Sequence, residues 1–136
     1  MFTLLYRSLA LLPEYDQREQ QMLDAAVSRN KREHITGILH RESDAYYQWL
    51  EGPRHNVEAI YSSIEKDSRH NRVSCLQKGD REKRHFSDWS MAYSRSQDDS
   101  LFDWAAGANV SLLMPDPDEI LKYLQRQSDR LSAANA

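Results

Sequence analysis

The sequence predicts an α+β protein: a single sheet built in the order β-α-β-β-α-β-β, with two helices on one face and a C-terminal helical extension. Three observations predict it. Short runs rich in aromatic and branched apolar residues alternate with two stretches of helical periodicity. A polar connection of hairpin length joins the second and third runs, and the pattern changes character after Ser94.

In an extended chain Phe2, Leu4, Tyr6 and Ser8 share one face, which makes Phe2 to Ser8 the first strand. A turn near Leu12-Pro13-Glu14 precedes a helix whose stripe is Met22, Ala26 and Asn30, flanked by Leu23 and Val27, with its end near Asn30. His34 to His40 and Ala45 to Leu50 are β-rich and are joined by Arg41-Glu42-Ser43-Asp44, so they pair antiparallel. Gly52-Pro53 stops that pair and starts a second helix, with Val57, Ile60, Tyr61 and Ile64 on its apolar side. Strands around Val73 to Lys78 and Trp89 to Ser94 complete a ferredoxin-like sheet with one added strand. Beyond it, Phe102 and Trp104 read as isolated anchors. Asp116-Pro117-Asp118-Glu119 reads as the start of a terminal helix, whose apolar side (Ile120, Leu121, Tyr123, Leu124) covers the sheet's other face or a partner chain.

Composition excludes several function classes. A length of 136 residues with 40% hydrophobic content fits one core with an appendage. The net charge of -3 is spread through mixed segments, so direct nucleic-acid binding is not expected. Cys75 is the only cysteine and the five histidines are dispersed, which argues against a disulfide framework and a metal site. The first residues lack a signal sequence or membrane span, and the expected location is cytoplasmic. No phosphate-binding glycine loop or nucleophile elbow is present.

Two polar positions stand out. Alternation puts Gln48 on the same face as Tyr46 and Leu50, where an unpaired amide costs about 1–3 kcal/mol. It is either a sheet-edge side chain bonded to water or a buried amide that needs a partner or ligand. Tyr6 is either an ordinary core tyrosine or a hydroxyl with a task. Arg29 and Asn30 read equally as helix-end residues or as donors and an acceptor for a heterocycle's edge. Asp67, Arg69 and His70 form a solvated helix end or close a pocket between the helices.

The segments Tyr6-Arg7-Ser8, Asn30 with Ile35-Thr36-Gly37, Tyr46 to Gly52 (YYQWLEG), Asp67 to His70, and Arg84 to Met91 stand in an order that resembles the BLUF family of blue-light sensors. The resemblance covers roughly residues 2 to 94. It implies FAD, or in some members FMN or riboflavin, held noncovalently between the two helices. It also implies a flavin-binding domain over residues 1–95, with residues 96–136 as the helical extension. Tyr6 and Gln48 are then the switch pair, and Asn30 binds the ring's pyrimidine edge. Leu39, Tyr46 and Ile64 line the ring's faces, with Met22 and Ser8 near it. Arg29 stands where some members carry His, and Asp67, Arg69 and His70 match a segment near the ring and ribityl chain.

The implied chemistry is a light-driven electron and proton transfer from Tyr6 through Gln48. It leaves Gln48 altered and the flavin oxidised but red-shifted, with no substrate consumed. Trp89 and Met91, two apart on the last strand and so on one face, are the readout candidates unless both are plain core residues. The implied output is signalling to a separate effector protein or through a homo-oligomer. The competing readings are a flavin-dependent redox enzyme and a ferredoxin-like interaction module that has lost its ligand.

Overall fold

The computed structural model of the chain describes residues 1–68, 70–87 and 89–134, the side chains of His70 and Ala134 excepted. Its elements are β1 (Phe2–Ala10), α1 (Gln17–Arg32), β2 (Thr36–Glu42), β3 (Ala45–Gly52), α2 (Arg54–Lys66), β4 (His70–Asp80), β5 (Ala92–Arg95), α3 (Leu101–Ala108) and α4 (Pro117–Ala134). The sheet order is β4-β1-β3-β2-β5; β5 runs parallel to β2 and the other neighbours are antiparallel. This is the ferredoxin-like α+β sheet with an added strand. No helix among the described residues is long and apolar enough to cross a membrane.

Local chemistry sets the boundaries. The Asp16 side chain accepts the Arg18 amide at 2.8 Å and caps α1. The helix runs past Asn30 to Arg32, and His34, with φ of 58°, then turns the chain so that β2 starts at Thr36 and not at His34. Arg41 and Glu42, expected in the connection, belong to β2, which leaves Ser43-Asp44 as a two-residue turn with Ser43 at φ 54°. Gly37 pairs with Leu50, and a Cβ there would lie 2.0 Å from the Trp49 carbonyl oxygen, so only glycine fits.

Two departures are larger. The last strand starts at Ala92, three residues after Trp89: the Glu51 carboxylate takes the amides of His85 and Phe86, and Trp89 meets β2 through a backbone bond with Gly37 rather than through the β2–β5 ladder. Phe102 and Trp104 are not isolated anchors: they lie in α3, whose buried residues are Leu101 and Ala105 while Phe102 is half exposed. Eight residues give too weak a period to reveal that helix, and its cap comes from distant Glu42 as well as from Ser100.

The alternating strands feed two cores. One face puts Phe2, Leu4, Tyr6, Leu39, Tyr46 and Leu50 under α1 and α2. The opposite face puts Leu5, Ile38, Tyr47 and Trp49 under α4, which contributes Ile120, Leu121, Tyr123 and Leu124. The terminal helix therefore covers the sheet's second face.

Candidate functional site

Register brings the central pair together. Tyr6 of β1 stands opposite Gln48 of β3, Leu39 of β2 stands on the other side of Gln48, and all three point toward α1 and α2. Gln48 and Tyr6 are both buried. The Tyr6 hydroxyl donates to Gln48 Oε1, and Gln48 Nε2 donates to Met91 Sδ at 3.4 Å. The amide thus gives its strong acceptor to a phenol and its donor to a thioether, a weak acceptor. Burial, helped by nearby Tyr46, pushes the Tyr6 phenol well above its ordinary range and keeps it a donor at neutral pH. The Tyr61 ring of α2 packs 5.7 Å from the Tyr6 ring, and burial pushes its own hydroxyl up to about 12.

This pair floors a cavity of about 290 Å³ between α1 and α2. Leu39, Met22, Leu23 and Ile64 make it apolar, Met91 closes one side, and Arg29, Arg32 and Asp67 add charge. That donor set fits a flat heterocycle with a polar edge and anionic appendages: apolar walls for the ring faces, an amide for the edge, guanidinium groups for phosphate.

Of the residues singled out in the sequence, Tyr6, Met22, Arg29, Leu39, Gln48, Ile64, Asp67 and Met91 line this cavity, whereas Ser8, Asn30, Tyr46 and Trp89 do not. Ser8 is buried opposite Tyr46 in the β1–β3 ladder. The Asn30 amide donates to the Ser90 carbonyl at 2.9 Å and accepts from the Arg29 guanidinium, which ties α1 to the segment before β5. The Tyr46 hydroxyl donates to Glu19. Arg69 and the side chain of His70 lie outside the described residues.

Trp89 and Met91 do not share a face. Strand alternation does not apply before Ala92, so Met91 joins the cavity side while Trp89 packs on the α4 side, its Nε1 donating to Ser128 Oγ at 3.0 Å. Of the two readout candidates, Met91 is the one beside Gln48.

Three buried glutamates were missed in the sequence. Glu19 accepts from Tyr46, Arg41, Tyr93 and Arg95 at one end of the cavity face. Burial alone would raise its carboxyl, but the bonds from Tyr46, Arg41 and Tyr93 outweigh that and hold it below the usual range. Glu51 accepts from Trp49 Nε1, Thr36 Oγ1 and the amides of His85 and Phe86, which fixes the segment leading to Met91. Glu42 accepts from His40, Ser100 and the first amides of α3. Glu51 carried a usable signal: alternation puts it on the face of Trp49, where a carboxylate must be paired. Glu19 carried none, since its partners are distant in sequence, and Glu42 shares a strand face with His40 but takes its other three donors from Ser100, Leu101 and Phe102.

Fold and site together define a ligand-binding α+β module, with a cavity walled by two helices and floored by a buried hydrogen-bonded pair. A family model described as "BLUF: Sensors of blue-light using FAD" matches residues 1–92, and the chain belongs to that family of FAD-binding blue-light sensors. It is 38% identical over 68 residues to the blue light- and temperature-regulated antirepressor BluF of Escherichia coli, covering 50% of this chain and 17% of that protein. The dark-state structure of BlrB, a BLUF protein, is similar with a TM-score of 0.78 and 28% identity, covering 93% of this chain and 96% of that one. The photo-activated state of BlsA gives a TM-score of 0.79 at 27% identity, covering 93% and 94%. The chain spans less than a fifth of the length of the curated relatives it matches.

Proposed function

We propose that Tyr6, Gln48 and Met91 are the light-responsive switch of this sensor, and that the chain signals without catalytic turnover to a separate effector protein or through self-association. The observation that carries the reading is the chain of contacts from the Tyr6 hydroxyl through both ends of the Gln48 amide to Met91, at the floor of the cavity.

When bound, FAD, or FMN or riboflavin in its place, supplies a strong photo-oxidant. The chain's residues do the rest. Tyr6 releases an electron, and its phenolic proton moves along the existing hydrogen bond to Gln48 Oε1. When electron and proton return, the amide can close in a rotated or tautomeric form, because its two ends differ only in which one donates. In that form Gln48 presents a different group to Met91. The 3.4 Å contact with the sulfur is then lost, and the segment ahead of β5 settles differently.

Leu39, Met22 and Ile64 would hold the ring's faces, with Arg29 and Arg32 toward its phosphates. Asn30 holds the Ser90 carbonyl with one of its two amide hydrogens, so the second would reach toward the ring's edge and make it a second link between cofactor and the segment before β5. Residues 1–95 act as the flavin-binding domain and 96–136 as the output extension, in a cytoplasmic protein that does not touch nucleic acid. Tyr6→Phe and Gln48→Leu, loaded with FAD, are expected to stay yellow and to lose the light-induced red shift. A normal photoresponse in either one overturns the proposed switch.

A further inference from the structure

The sheet's second face holds a buried polar cluster that no part of the switch uses. His40 is wholly buried on β2 and points away from the cavity, one residue along from Leu39, which lies beside Gln48. Its Nδ1 is 2.7 Å from Ser94 Oγ on β5, and its Nε2 is 2.8 Å from Glu42 Oε1. Burial alone would raise the Glu42 carboxyl, but bonds from His40, Ser100 and the amides of Leu101 and Phe102 hold it below its usual range, so it is an acceptor. Nε2 therefore donates to Glu42, and in the neutral ring Nδ1 is left to accept the Ser94 hydroxyl.

Glu42 is more than a partner for His40. It accepts the Ser100 hydroxyl at 2.7 Å and the Leu101 and Phe102 amides at 2.9 and 3.2 Å, which are orphan donors of the α3 N-terminus. The Tyr123 hydroxyl of α4 stands 3.1 Å from His40 Nε2 and donates to the Asp99 carbonyl, while Asp99 Oδ2 receives Arg126 and Gln127 of α4 at 2.7 Å each. One imidazole thus touches β5, the cap of α3 and the seat of α4.

We propose that His40 is the positioning residue through which β5 sets the cap of α3 and the docking of α4, so that the light signal crosses the sheet at this side chain. The proposal rests on the switch reading above. β5 begins one residue after Met91, so any shift there moves Ser94 along β2 against a fixed His40. A bond of 2.7 Å does not survive a displacement of about 1 Å. Freed of Ser94, the imidazole turns, the Glu42 carboxylate loses its donor, and the first amides of α3 lose their shared acceptor.

Amide hydrogen exchange on the FAD-loaded chain, in darkness and under blue light with the absorption spectrum recorded on the same sample, tests this. Leu101 and Phe102 are expected to exchange at least about tenfold faster in the light, with a smaller rise over the first half of α4. Ser94→Ala, which removes the bond to His40 in darkness as well, is expected to keep the red shift but to show the faster exchange at Leu101 and Phe102 already in the dark, leaving a light effect of under about twofold. His40→Gln, if folded, is expected to do the same. A red shift in the unmodified chain without faster exchange at these amides overturns the proposal, as does a full light effect in Ser94→Ala. No red shift in the unmodified chain overturns the switch reading, and this proposal with it.

Discussion

The two faces of the sheet solve opposite problems with the same strands. On the α1/α2 face, Tyr6 and Gln48 sit at the floor of a cavity, and among the described residues the donor end of Gln48 meets the Met91 sulfur. On the α4 face, Trp49, Phe86, Leu101 and Tyr123 are buried to 1% exposure or less, and Glu42 and Glu51 each have four donors. The difference teaches where rearrangement can start. An amide with one strong partner and one weak one exchanges its bonds at small cost, whereas a carboxylate with four donors yields only when one of those donors is moved.

The sharpest way to break the comparison is to open a void on each face. Trp49→Ala removes a side chain with no exposure and is expected to cost about 3–5 kcal/mol in urea unfolding. Met22→Ala, at the half-buried cavity wall, is expected to cost no more than about 1 kcal/mol. Equal costs would contradict the division. Arg41→Met, which leaves the buried Glu19 carboxylate with Arg95 as its one remaining guanidinium partner among the described residues, is expected to lower stability by about 3 kcal/mol, so the cavity face is held at its end and not at its centre.

Acidification gives an intermediate effect. Glu19 and Glu42 are held below their ordinary carboxyl range, so their stabilisation is complete above the unfolded value of about 4.3 and is lost as pH falls through the lowered folded values. The urea midpoint is expected to be flat from neutrality to about pH 5 and then to fall, with a shallower fall in Glu19→Gln. A small effect is expected of Tyr6→Phe, about 1 kcal/mol, since Gln48 Oε1 loses its donor while Nε2 keeps Met91, and the photoresponse is expected to be lost.

What was legible in the sequence follows the same division. Strand alternation and helix periodicity are local signals, and they place β1 to β4, α1, α2 and α4 with their cores. They also place Gln48 on the cavity face. Local signals fail where distant partners decide the conformation. The start of β5, the helix at Leu101–Ala108 and the opposite orientations of Trp89 and Met91 all depend on contacts made by Glu42, Glu51 and Ser128 from elsewhere in the chain. Tyr46 shows the limit within a correct face: alternation aims it toward α1, but Glu19, distant in sequence, draws its hydroxyl away from the cavity.

The most direct test of the central claim is the visible spectrum of the FAD-loaded protein in darkness, under blue light and after return to darkness. A Tyr6–Gln48 switch that changes bonding without consuming substrate predicts a red-shifted, still oxidised flavin spectrum that reverts fully in the dark. A spectrum that does not move, or that bleaches and needs an added oxidant to recover, would contradict the account.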